Sequence, residues 1–226
     1  MALAAAIAGE NVFITGPGGS GKTTLINQIY EVLTRRHRKK VQVVAMTGCA
    51  AVLLSKVNAR TLHSWSGIGV SNKTPAEIIR QVCSNRFLVN TWRKTDVLIV
   101  DEISMLSDSL LELLHQIGCE ARGRTHVAFG GMQIIFSGDF YQLPPVSGRF
   151  AFESRVWNQI FKPQNQIILT TNYRQATDPD YANILTEIRH GNLSCDSIEK
   201  LNARMLNSSS VSKLKIYPTR AAVEIG

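Results

Sequence analysis

The sequence predicts an α/β fold with a mainly parallel central sheet flanked by helices. Strand-like apolar runs alternate with helix-like stretches along most of the 226 residues. Residues 97–100, Val-Leu-Ile-Val, are apolar without a break, which is typical of a parallel strand buried on both faces. Residues 16–23 form a glycine-rich loop between a β-rich run and a helix-prone run. This alternation implies right-handed crossovers and therefore a parallel sheet.

The individual elements follow in chain order. Apolar runs of strand length predict strands at residues 12–15, 41–46, 97–100, 133–136 and 166–169. A first helix is predicted from residues 24–30. Residues 107–117 carry leucine and isoleucine at helical spacing, with Ser107 or Asp108 as the cap.

Two regions interrupt this alternation. Residues 61–93 are long for one connection and contain two tryptophans, so we expect a small inserted subdomain at residues 62–93. Residues 147–163 are predicted to form an aromatic-rich loop with a short helix. Residues 207–210 resemble a linker, and residues 214–217 begin a strand-like run.

The composition favours a globular intracellular protein. Hydrophobic residues make up 44% of the chain, which allows a sizeable core, and no apolar run approaches the roughly 18 residues of a membrane span. Residues 1–9 lack the basic start of a signal peptide. The four cysteines are scattered without metal-ligand spacing, which favours a reducing compartment over disulfides.

The chain is basic, with a formal net charge of +8. Such a charge favours a polyanionic partner. The densest basic run is residues 35–40, Arg-Arg-His-Arg-Lys-Lys. Cations complement the C-terminus of a helix, so this run closes the first helix or forms a nucleic-acid or import patch.

The loop at residues 16–23 matches the phosphate-binding pattern G-x-x-x-x-G-K-[ST]. Its glycines let backbone N–H groups turn toward phosphate oxygens at the start of a helix. Lys22 is expected to reach the β- and γ-phosphates and Thr23 to hold Mg²⁺. A purely structural glycine-rich turn is the alternative. The predicted nucleotide-binding residues of this loop are Gly16, Gly18, Gly19, Ser20, Gly21, Lys22, Thr23 and Thr24.

Two further polar sites follow predicted strands. Asp101 and Glu102 end the apolar strand at residues 97–100, where Asp101 is placed to bind Mg²⁺ and Glu102 to polarise an attacking water. The alternative is a buried strand that ends in two solvated acids. Gln142 follows the strand at residues 133–136, and its amide is placed beside the phosphates, where it can sense the γ-phosphate.

Several blocks occur in the order seen in one family. They are residues 16–23, 47–51 (Thr-Gly-Cys-Ala-Ala), 61–69 (Thr-Leu-His-Ser-Trp-Ser-Gly-Ile-Gly), 100–105 (Val-Asp-Glu-Ile-Ser-Met), 138–145 (Gly-Asp-Phe-Tyr-Gln-Leu-Pro-Pro) and 172–175 (Asn-Tyr-Arg-Gln). With them the chain resembles the PIF-type (petite integration frequency) DNA helicases of superfamily one, which are related to the RecD-like helicases. The resemblance runs from about residue 9 to residue 220.

The resemblance implies an ATP-dependent 5′-to-3′ DNA helicase with a RecA-like fold that uses ATP and Mg²⁺. It gives Lys22, Glu102, Gln142 and Arg174 catalytic roles, with Arg174 reaching the γ-phosphate. Tyr173 is placed either against the adenine or in the packing at the sheet edge.

The resemblance also implies a single-stranded DNA site at Thr47, Gly48, His63 and Ser64. Hydroxyls and backbone N–H groups suit phosphate contacts that carry no sequence information. Trp65 is either a surface on which bases stack or part of the core. Forked or structured DNA is an expected partner, RNA is not excluded, no membrane partner is expected, and the chain is expected to be monomeric in a DNA-containing compartment: nucleus, mitochondrion, or viral or bacterial cytoplasm.

The chain departs from the family pattern at both ends. In the family a glutamine-bearing segment before the first strand contacts adenine, and with residues 1–10 in that place we expect this contact to be missing. Residues 216–220 resemble the entry to a second RecA-like domain. We therefore interpret residues 1–226 as the N-terminal motor domain, with a second domain expected after about residue 216 and weak activity expected of the domain alone.

Two other classes of function remain open. A kinase or GTPase-like switch is disfavoured by Glu102 and by the absence of an Asn-Lys-x-Asp segment. A non-catalytic nucleotide- or DNA-binding module is disfavoured because all five candidate polar residues of the hydrolytic site are present.

Overall fold

The computed structural model describes residues 1–54, 57, 59–69 and 73–206. The predictions at residues 207–210, 214–217 and 216–220 lie outside these residues. The chain divides into two compact units, the first from Met1 to Pro179 and the second from Asp180 onwards.

The first unit is built on a six-stranded sheet in the order β3-β2-β4-β5-β1-β6. Every strand pairing in the described part is parallel, which confirms the predicted fold class. The strands are β1 (Val12–Thr15), β2 (Val41–Ala45), β3 (Arg60–Thr61), β4 (Val97–Asp101), β5 (Gln133–Gly138) and β6 (Gln166–Ile168). All five predicted strands are present within two residues of their predicted bounds, and β3 is an additional short strand.

Helices cover both faces of this sheet. On one face lie α1 (Ala2–Ile7), α2 (Lys22–Glu31) and α3 (Gly48–Leu53), around a core that includes Ile14, Ile26 and Ile99. On the other face lie α4 (Leu62–Ser66), α5 (Pro75–Ser84), α6 (Arg86–Lys94), α7 (Asp108–Arg122) and α8 (Trp157–Ile160). Burial on both faces explains why the apolar run of the central strand β4 is unbroken.

The N-terminal helix α1 has no counterpart among the predicted elements. Its six residues are too few to show a helical period. The contacts that hold it come from distant residues: Gln133 Nε2 donates to Ala6 O at 2.9 Å and to Glu10 O at 2.7 Å. Tertiary bonds of this kind leave no local pattern in the sequence.

The predicted insertion at residues 62–93 contributes α4, α5 and α6. Trp92, with no exposed surface, donates from Nε1 to Ser66 O at 3.1 Å, and its ring lies 4.6 Å from that of Trp65. Both rings belong to the core that also contains Leu111 and Leu114 of α7. These helices thus share the core of the sheet rather than enclosing a core of their own.

The first helix ends irregularly. After α2 the chain continues as one π-helical turn, Val32–Arg36, and Arg38 then adopts a left-handed backbone with φ 53°. His37 N donates to Val32 O at 3.3 Å and Lys39 N to Leu33 O at 3.0 Å. The basic run therefore lies at the end of the first helix, which is the first of its two predicted roles.

The predicted aromatic-rich loop with a short helix is confirmed. Phe140 follows β5 and contacts the rings of Phe13, Phe150, Phe152 and Trp157 at centroid distances of 4.8 to 5.9 Å. Aromatic packing of this kind fixes the chain that leaves β5.

The second unit contains α9 (Pro179–His190), whose first residue belongs to the first unit, and α10 (Cys195–Leu206). Glu187 fixes the turn between them, because its Oε2 accepts hydrogen bonds from the N–H and hydroxyl of Ser194, each at 2.9 Å. None of the described helices is both long and apolar enough to cross a bilayer. The four cysteines are free thiols.

Candidate active site

The carboxyl ends of the parallel strands share one edge of the sheet, and the loops that follow β1, β4, β5 and β6 enclose a cleft of about 730 Å³. Such an edge is the usual ligand site of open α/β sheets. The cleft is lined by Gly18, Gly19, Ser20, Gly21, Lys22, Thr23, Thr24, Leu25, Gln28, Glu102, Gln142, Leu169, Tyr173 and Arg174. Most of the predicted nucleotide and catalytic residues are thus brought together.

The glycine-rich loop has the conformation and the crowding that its glycines predict. Gly16 has φ 152°, and a Cβ there would lie 2.3 Å from Leu169 O. Gly19 has φ 83°, and a Cβ there would lie 2.6 Å from Arg174 Cβ. Side chains are therefore excluded at both positions by backbone conformation and by neighbouring atoms.

Lys22 turns back onto the loop from the first turn of α2. Its side chain is largely buried, and Nζ donates to Gly16 O at 2.7 Å and to Pro17 O at 3.0 Å. The buried hydroxyl of Ser20 has no hydrogen-bond partner within the described residues. An orphaned hydroxyl beside an ammonium group fits a loop whose polar groups are completed by an anion.

Asp101 ends β4 and is 4% exposed. Burial raises the pKa of its carboxyl, and the Glu102 N–H, which donates to Oδ1 at 3.0 Å, opposes this only in part. The Ser137 hydroxyl also lies close and has the largest of the effects that lower this pKa, although within the described chain it makes no hydrogen bond of good geometry. A carboxylate destabilised by burial is stabilised by a nearby cation, so Asp101 suits Mg²⁺.

Glu102 is held in a strained conformation at the mouth of the cleft. Its backbone is left-handed, with φ 57° and ψ 46°, which costs about 1–3 kcal/mol for a residue other than glycine. Burial raises the pKa of its carboxyl, and the charge of Asp101 raises it further. Lys22 and Arg174 act in the opposite direction. A carboxyl with a raised pKa at this position has the properties of a general base.

Gln142 reaches the cleft from the loop after β5. Its Nε2 donates to Asp139 Oδ2 at 3.3 Å, and its backbone N–H donates to Asp139 O at 2.9 Å. Asp139 is almost fully buried, and its charge also contributes to the raised pKa of Glu102. Asp139 therefore fixes the position of the amide and connects it electrostatically to the candidate base.

Arg174 and Tyr173 enter the cleft from the loop after β6. Asn172 Oδ1 accepts hydrogen bonds from Arg174 N at 3.0 Å and Gln175 N at 3.2 Å, and Tyr173 N donates to Gly19 O at 2.9 Å. This loop is therefore bonded directly to the phosphate-binding loop. The Tyr173 ring is 68% exposed and lines the cleft, so it does not pack at the sheet edge.

Two positioning residues, Asn172 and Asp139, were not among the predicted site residues. Each lies inside a motif block that the sequence does show, at residues 172–175 and 138–145. Their roles depend on which backbone N–H groups their side chains meet, and residue spacing alone contains no such signal. Leu25, Gln28 and Leu169 also line the cleft without having been predicted.

The residues predicted to contact single-stranded DNA lie at the ends of β2 and β3, at the same edge of the sheet but outside the cleft. Thr47 caps α3, accepting from Ala50 N at 3.2 Å, and Thr61 caps α4, accepting from Ser64 N at 3.3 Å. Gly48 and Ser64 are exposed, and His63 is half-buried.

Trp65 is not a surface residue. It is 1% exposed and packs against Trp92. Of the two predicted roles, a surface for base stacking or a part of the core, the structure therefore shows the second. Base stacking would require the ring to leave this core. Its Nε1 has no hydrogen-bond partner within the described chain.

Comparison with known proteins agrees with this geometry. The sequence profile of the PIF1-like helicases matches residues 2–198. This chain belongs to the PIF1-like helicase family. It is 38% identical over 226 residues to the ATP-dependent DNA helicase RRM3 of Saccharomyces cerevisiae, across 95% of this chain and 30% of that protein.

Solved structures of the family show the same fold. The Pif1 helicase of Candida albicans superposes with a TM-score of 0.88 at 34% identity, over 99% of this chain and 51% of that one. The Bacteroides Pif1 helicase in complex with ADP-AlF3 and single-stranded DNA superposes with a TM-score of 0.74 at 29% identity, over 96% and 52%. The chain thus spans about half of these structures and about a third of its curated relative.

Proposed function

We propose that this chain is a motor domain of a DNA helicase that couples ATP hydrolysis to 5′-to-3′ movement along single-stranded DNA. The observation that supports this best is the cleft at the carboxyl edge of the sheet. It gathers an anion-binding loop, a candidate base, an amide and an arginine from four separate strand ends. Family membership supports DNA as the track, and the polarity rests on the resemblance alone.

The nucleotide would bind with its phosphates in the loop that follows β1. The backbone N–H groups of the loop and the positive end of α2 would attract phosphate oxygens there, apart from the Ser20 N–H, which donates to Pro17 O at 3.2 Å. Ser20 would complete its hydrogen bonding with a phosphate oxygen, and Lys22 would exchange its two carbonyl partners for the β- and γ-phosphates. Thr24 lies in the same lining, and the exposed ring of Tyr173 is placed to cover the base.

The residues present fit a magnesium ion. Thr23 offers an exposed hydroxyl in the lining of the cleft, and Asp101 offers the buried carboxylate behind it. Bound Mg²⁺ would neutralise phosphate charge. For the chain's own groups the consequence is that Asp101 would become stable as a carboxylate despite its burial.

Hydrolysis would use the three remaining side chains. Glu102, with its raised pKa, would accept a proton from the attacking water. Gln142, fixed by Asp139, would hydrogen-bond to the γ-phosphate or its water. Arg174, fixed by Asn172, would compensate the charge that develops on the transferred group.

Coupling to DNA would use the common edge of the sheet. β4 pairs with β2, whose end carries Thr47 and Gly48, and β2 pairs with β3, whose end leads into His63 and Ser64. A change at Asp101 and Glu102 is therefore one strand away from the residues proposed to contact the sugar-phosphate backbone. We further propose that residues 1–226 form one half of a two-domain motor working in a DNA-containing compartment, nuclear or mitochondrial in a eukaryote.

The decisive experiment replaces the matching half of the Candida albicans Pif1 helicase with this chain. Single-stranded DNA should stimulate ATP hydrolysis by the hybrid, and the parent helicase serves as the positive control. Glu102→Gln should retain nucleotide binding and lose turnover by about 100-fold or more, as expected for removal of a general base.

Two results would contradict the proposal. One is a folded hybrid that binds ATP but is not stimulated by DNA, which would indicate a nucleotide-dependent switch. The other is a Glu102→Gln hybrid with near-normal turnover, which would exclude Glu102 as the base.

A further inference from the structure

The edge of the sheet opposite the cleft collects the basic residues of the chain. Residues 35–40 precede β2, residues 93–96 precede β4, and residues 122–126 precede β5. Since these strands are parallel, the three segments meet at the amino edge. We call the exposed lysines and arginines there the amino-edge patch: Arg35, Arg36, Arg38, Lys39, Lys40, Lys94 and Arg124.

Hydrogen bonds between the segments fix this convergence. Lys40 N donates to Asp96 Oδ2 at 2.8 Å, and Asp96 N donates to Lys40 O at 2.9 Å. Arg122 Nη1 of the third segment donates to Thr95 O at 2.8 Å, and Gln133 N at the start of β5 donates to Asp96 O at 3.0 Å. Neighbouring strands are about 4.8 Å apart, so the three strand starts span about 10 Å.

The basic run is folded, and it is not a tail. The π turn at Val32–Arg36 and the left-handed Arg38 redirect the chain, and Lys39 N is bonded to Leu33 O. π turns and non-glycine left-handed residues carry a local cost and occur frequently at functional sites. Here they hold consecutive cations on a rigid surface, where binding a partner requires little ordering.

Most of this positive charge is uncompensated. Arg93 and Arg122 also lie here, but they bond to backbone carbonyls of their neighbours and are excluded from the patch. The acids on the adjoining elements are Glu31, which pairs with Arg35 at 3.7 Å, Asp96 and Glu120. Seven patch cations face these three acids, a net charge of +4, and Arg93 and Arg122 add two further positive charges at this edge.

The composition of the surface indicates the kind of partner. No large apolar side chain is exposed among the described residues of the three segments, although protein interfaces need an apolar centre. No phenylalanine, tyrosine or tryptophan ring is exposed there for the bases of a single strand to stack on, and the exposed rings are the two small imidazoles of His37 and His126. What remains is charge spread over about 10 Å, which suits the phosphate rows of a double helix.

We infer that the amino-edge patch binds the phosphate backbone of duplex DNA, independently of sequence and apart from the single-strand residues at the opposite edge. The identity of the polyanion rests on the proposed function. The chain would then hold duplex at one edge of its sheet while it contacts a single strand at the other.

The experiment measures binding of the 226-residue chain to a blunt 20-base-pair duplex and to an oligo-dT strand over a range of salt concentrations. In the triple variant Arg35→Gln, Arg36→Gln, Arg38→Gln, duplex affinity should fall at least about 10-fold, and the slope of log K against log salt should decrease by about 2 to 3. Affinity for oligo-dT should change by less than about 3-fold.

The matched control is Arg80→Gln, Arg155→Gln, Arg204→Gln, which removes the same charge from exposed arginines elsewhere. This control should change duplex affinity by less than about 3-fold. A variant in which the three patch arginines are replaced by lysine should retain most of the duplex affinity, because lysine keeps the charge. Thermal melting and binding of a fluorescent ATP analogue verify that each variant is folded.

The possible results separate this inference from the proposed function. Equal losses in both glutamine variants, unchanged affinity in the patch variant, or a wild-type chain that binds no duplex would each overturn the inference. The hybrid's DNA-stimulated turnover could still support the proposed function in those cases. Conversely, patch-dependent duplex binding together with a hybrid that is not stimulated would leave the inference standing and refute the motor.

Discussion

The carboxyl edge of the sheet has two halves that are constructed differently. At the ends of β1, β4, β5 and β6 the chain buries Lys22 and Asp101, strains Glu102 and packs Gly19 against Arg174. At the ends of β2 and β3 it places two short helices, each capped by a threonine, with exposed polar groups and ordinary backbone angles. Chemistry on a phosphate requires groups fixed in unfavourable positions, whereas a contact that ignores sequence requires only exposed donors.

The electrostatics differ in the same way. We call the ends of β1, β4, β5 and β6 the nucleotide half and the ends of β2 and β3 the single-strand half. In the nucleotide half burial raises the pKa of both Asp101 and Glu102, and the charge of Asp101 raises that of Glu102 further. The single-strand half contains no carboxylate among Thr47, Gly48, His63 and Ser64. We therefore expect the functional side chains of the nucleotide half to lower the free energy of unfolding of the protein, and those of the single-strand half to leave it unchanged.

The largest difference between the halves should come from Lys22→Ala. Loss of the ammonium group should weaken binding of a fluorescent ATP analogue by about 100-fold, because a charge-assisted contact to phosphate is lost. Affinity for oligo-dT in the absence of nucleotide should be unchanged. An ATP affinity within about 3-fold of wild type would contradict the assignment of Lys22.

The next effect concerns Asn172→Ala, which removes the acceptor for Arg174 N and Gln175 N. We expect kcat of the hybrid to fall by about 10-fold with little change in KM, because Arg174 would act mainly on the transition state. Asn90→Ala on the exposed face of α6 is the control. A change in KM alone would show that Asn172 serves nucleotide binding instead.

A smaller effect is expected on stability. The pKa of Asp101 is raised in the folded state, so its charge is unfavourable at neutral pH and stability rises as pH falls through the folded pKa. Without Mg²⁺, Asp101→Asn should therefore raise the free energy of unfolding at pH 7 by on the order of 1 kcal/mol, and the variant should melt at a higher temperature than the wild type. This gain should shrink toward about pH 4, near the unfolded pKa of aspartate.

Asp108→Asn provides the control of opposite sign for this measurement. Partial burial raises the pKa of Asp108, but the bonds from Ser109 N and Arg149 together lower it by more. The charged Asp108 therefore stabilises the folded state above the unfolded pKa of aspartate, and this stabilisation is lost as pH falls through the lower, folded-state pKa. Asp108→Asn should accordingly melt at a lower temperature than the wild type at pH 7. If both variants shifted in the same direction, the interpretation of burial at Asp101 would be wrong.

The smallest effect should come from Thr61→Ala in the single-strand half. It removes the cap of α4, which costs about 1 kcal/mol, and it should reduce oligo-dT affinity by about 2- to 5-fold while leaving ATP binding unchanged. Thr61→Ser keeps the cap and should restore both values. An effect on ATP binding as large as that on DNA would remove the distinction between the halves.

The sequence predicts the sheet well for a specific reason. Strands that are buried on both faces show uninterrupted apolar runs, such as residues 97–100 of β4, and the helix after the glycine-rich loop begins at Lys22, two residues before its predicted start. The two-residue strand β3 and the six-residue helix α1 are too short to show a period. The latter depends on Gln133, more than a hundred residues away.

The sequence predicts which residues form the site, but it does not predict the contacts that position them. Lys22, Glu102, Gln142 and Arg174 belong to recognisable blocks, and the structure places all four in one cleft. The left-handed backbone of Glu102 and the bonds that Asn172 makes arise from contacts between loops, which no spacing records. Trp65 shows the same limit, since an aromatic in an apolar block does not reveal which face it occupies.

The two carbonyl bonds of Lys22 have a consequence for selectivity. An incoming anion must replace the bonds from Nζ to Gly16 O and Pro17 O before it gains the ammonium group. A ligand with a single weakly charged oxygen exchanges two good bonds for one, whereas a chain of phosphates replaces both and also occupies the turn of N–H groups. The resting bonds of the lysine thereby act as a threshold, which favours triphosphates over smaller anions that are abundant in any cell.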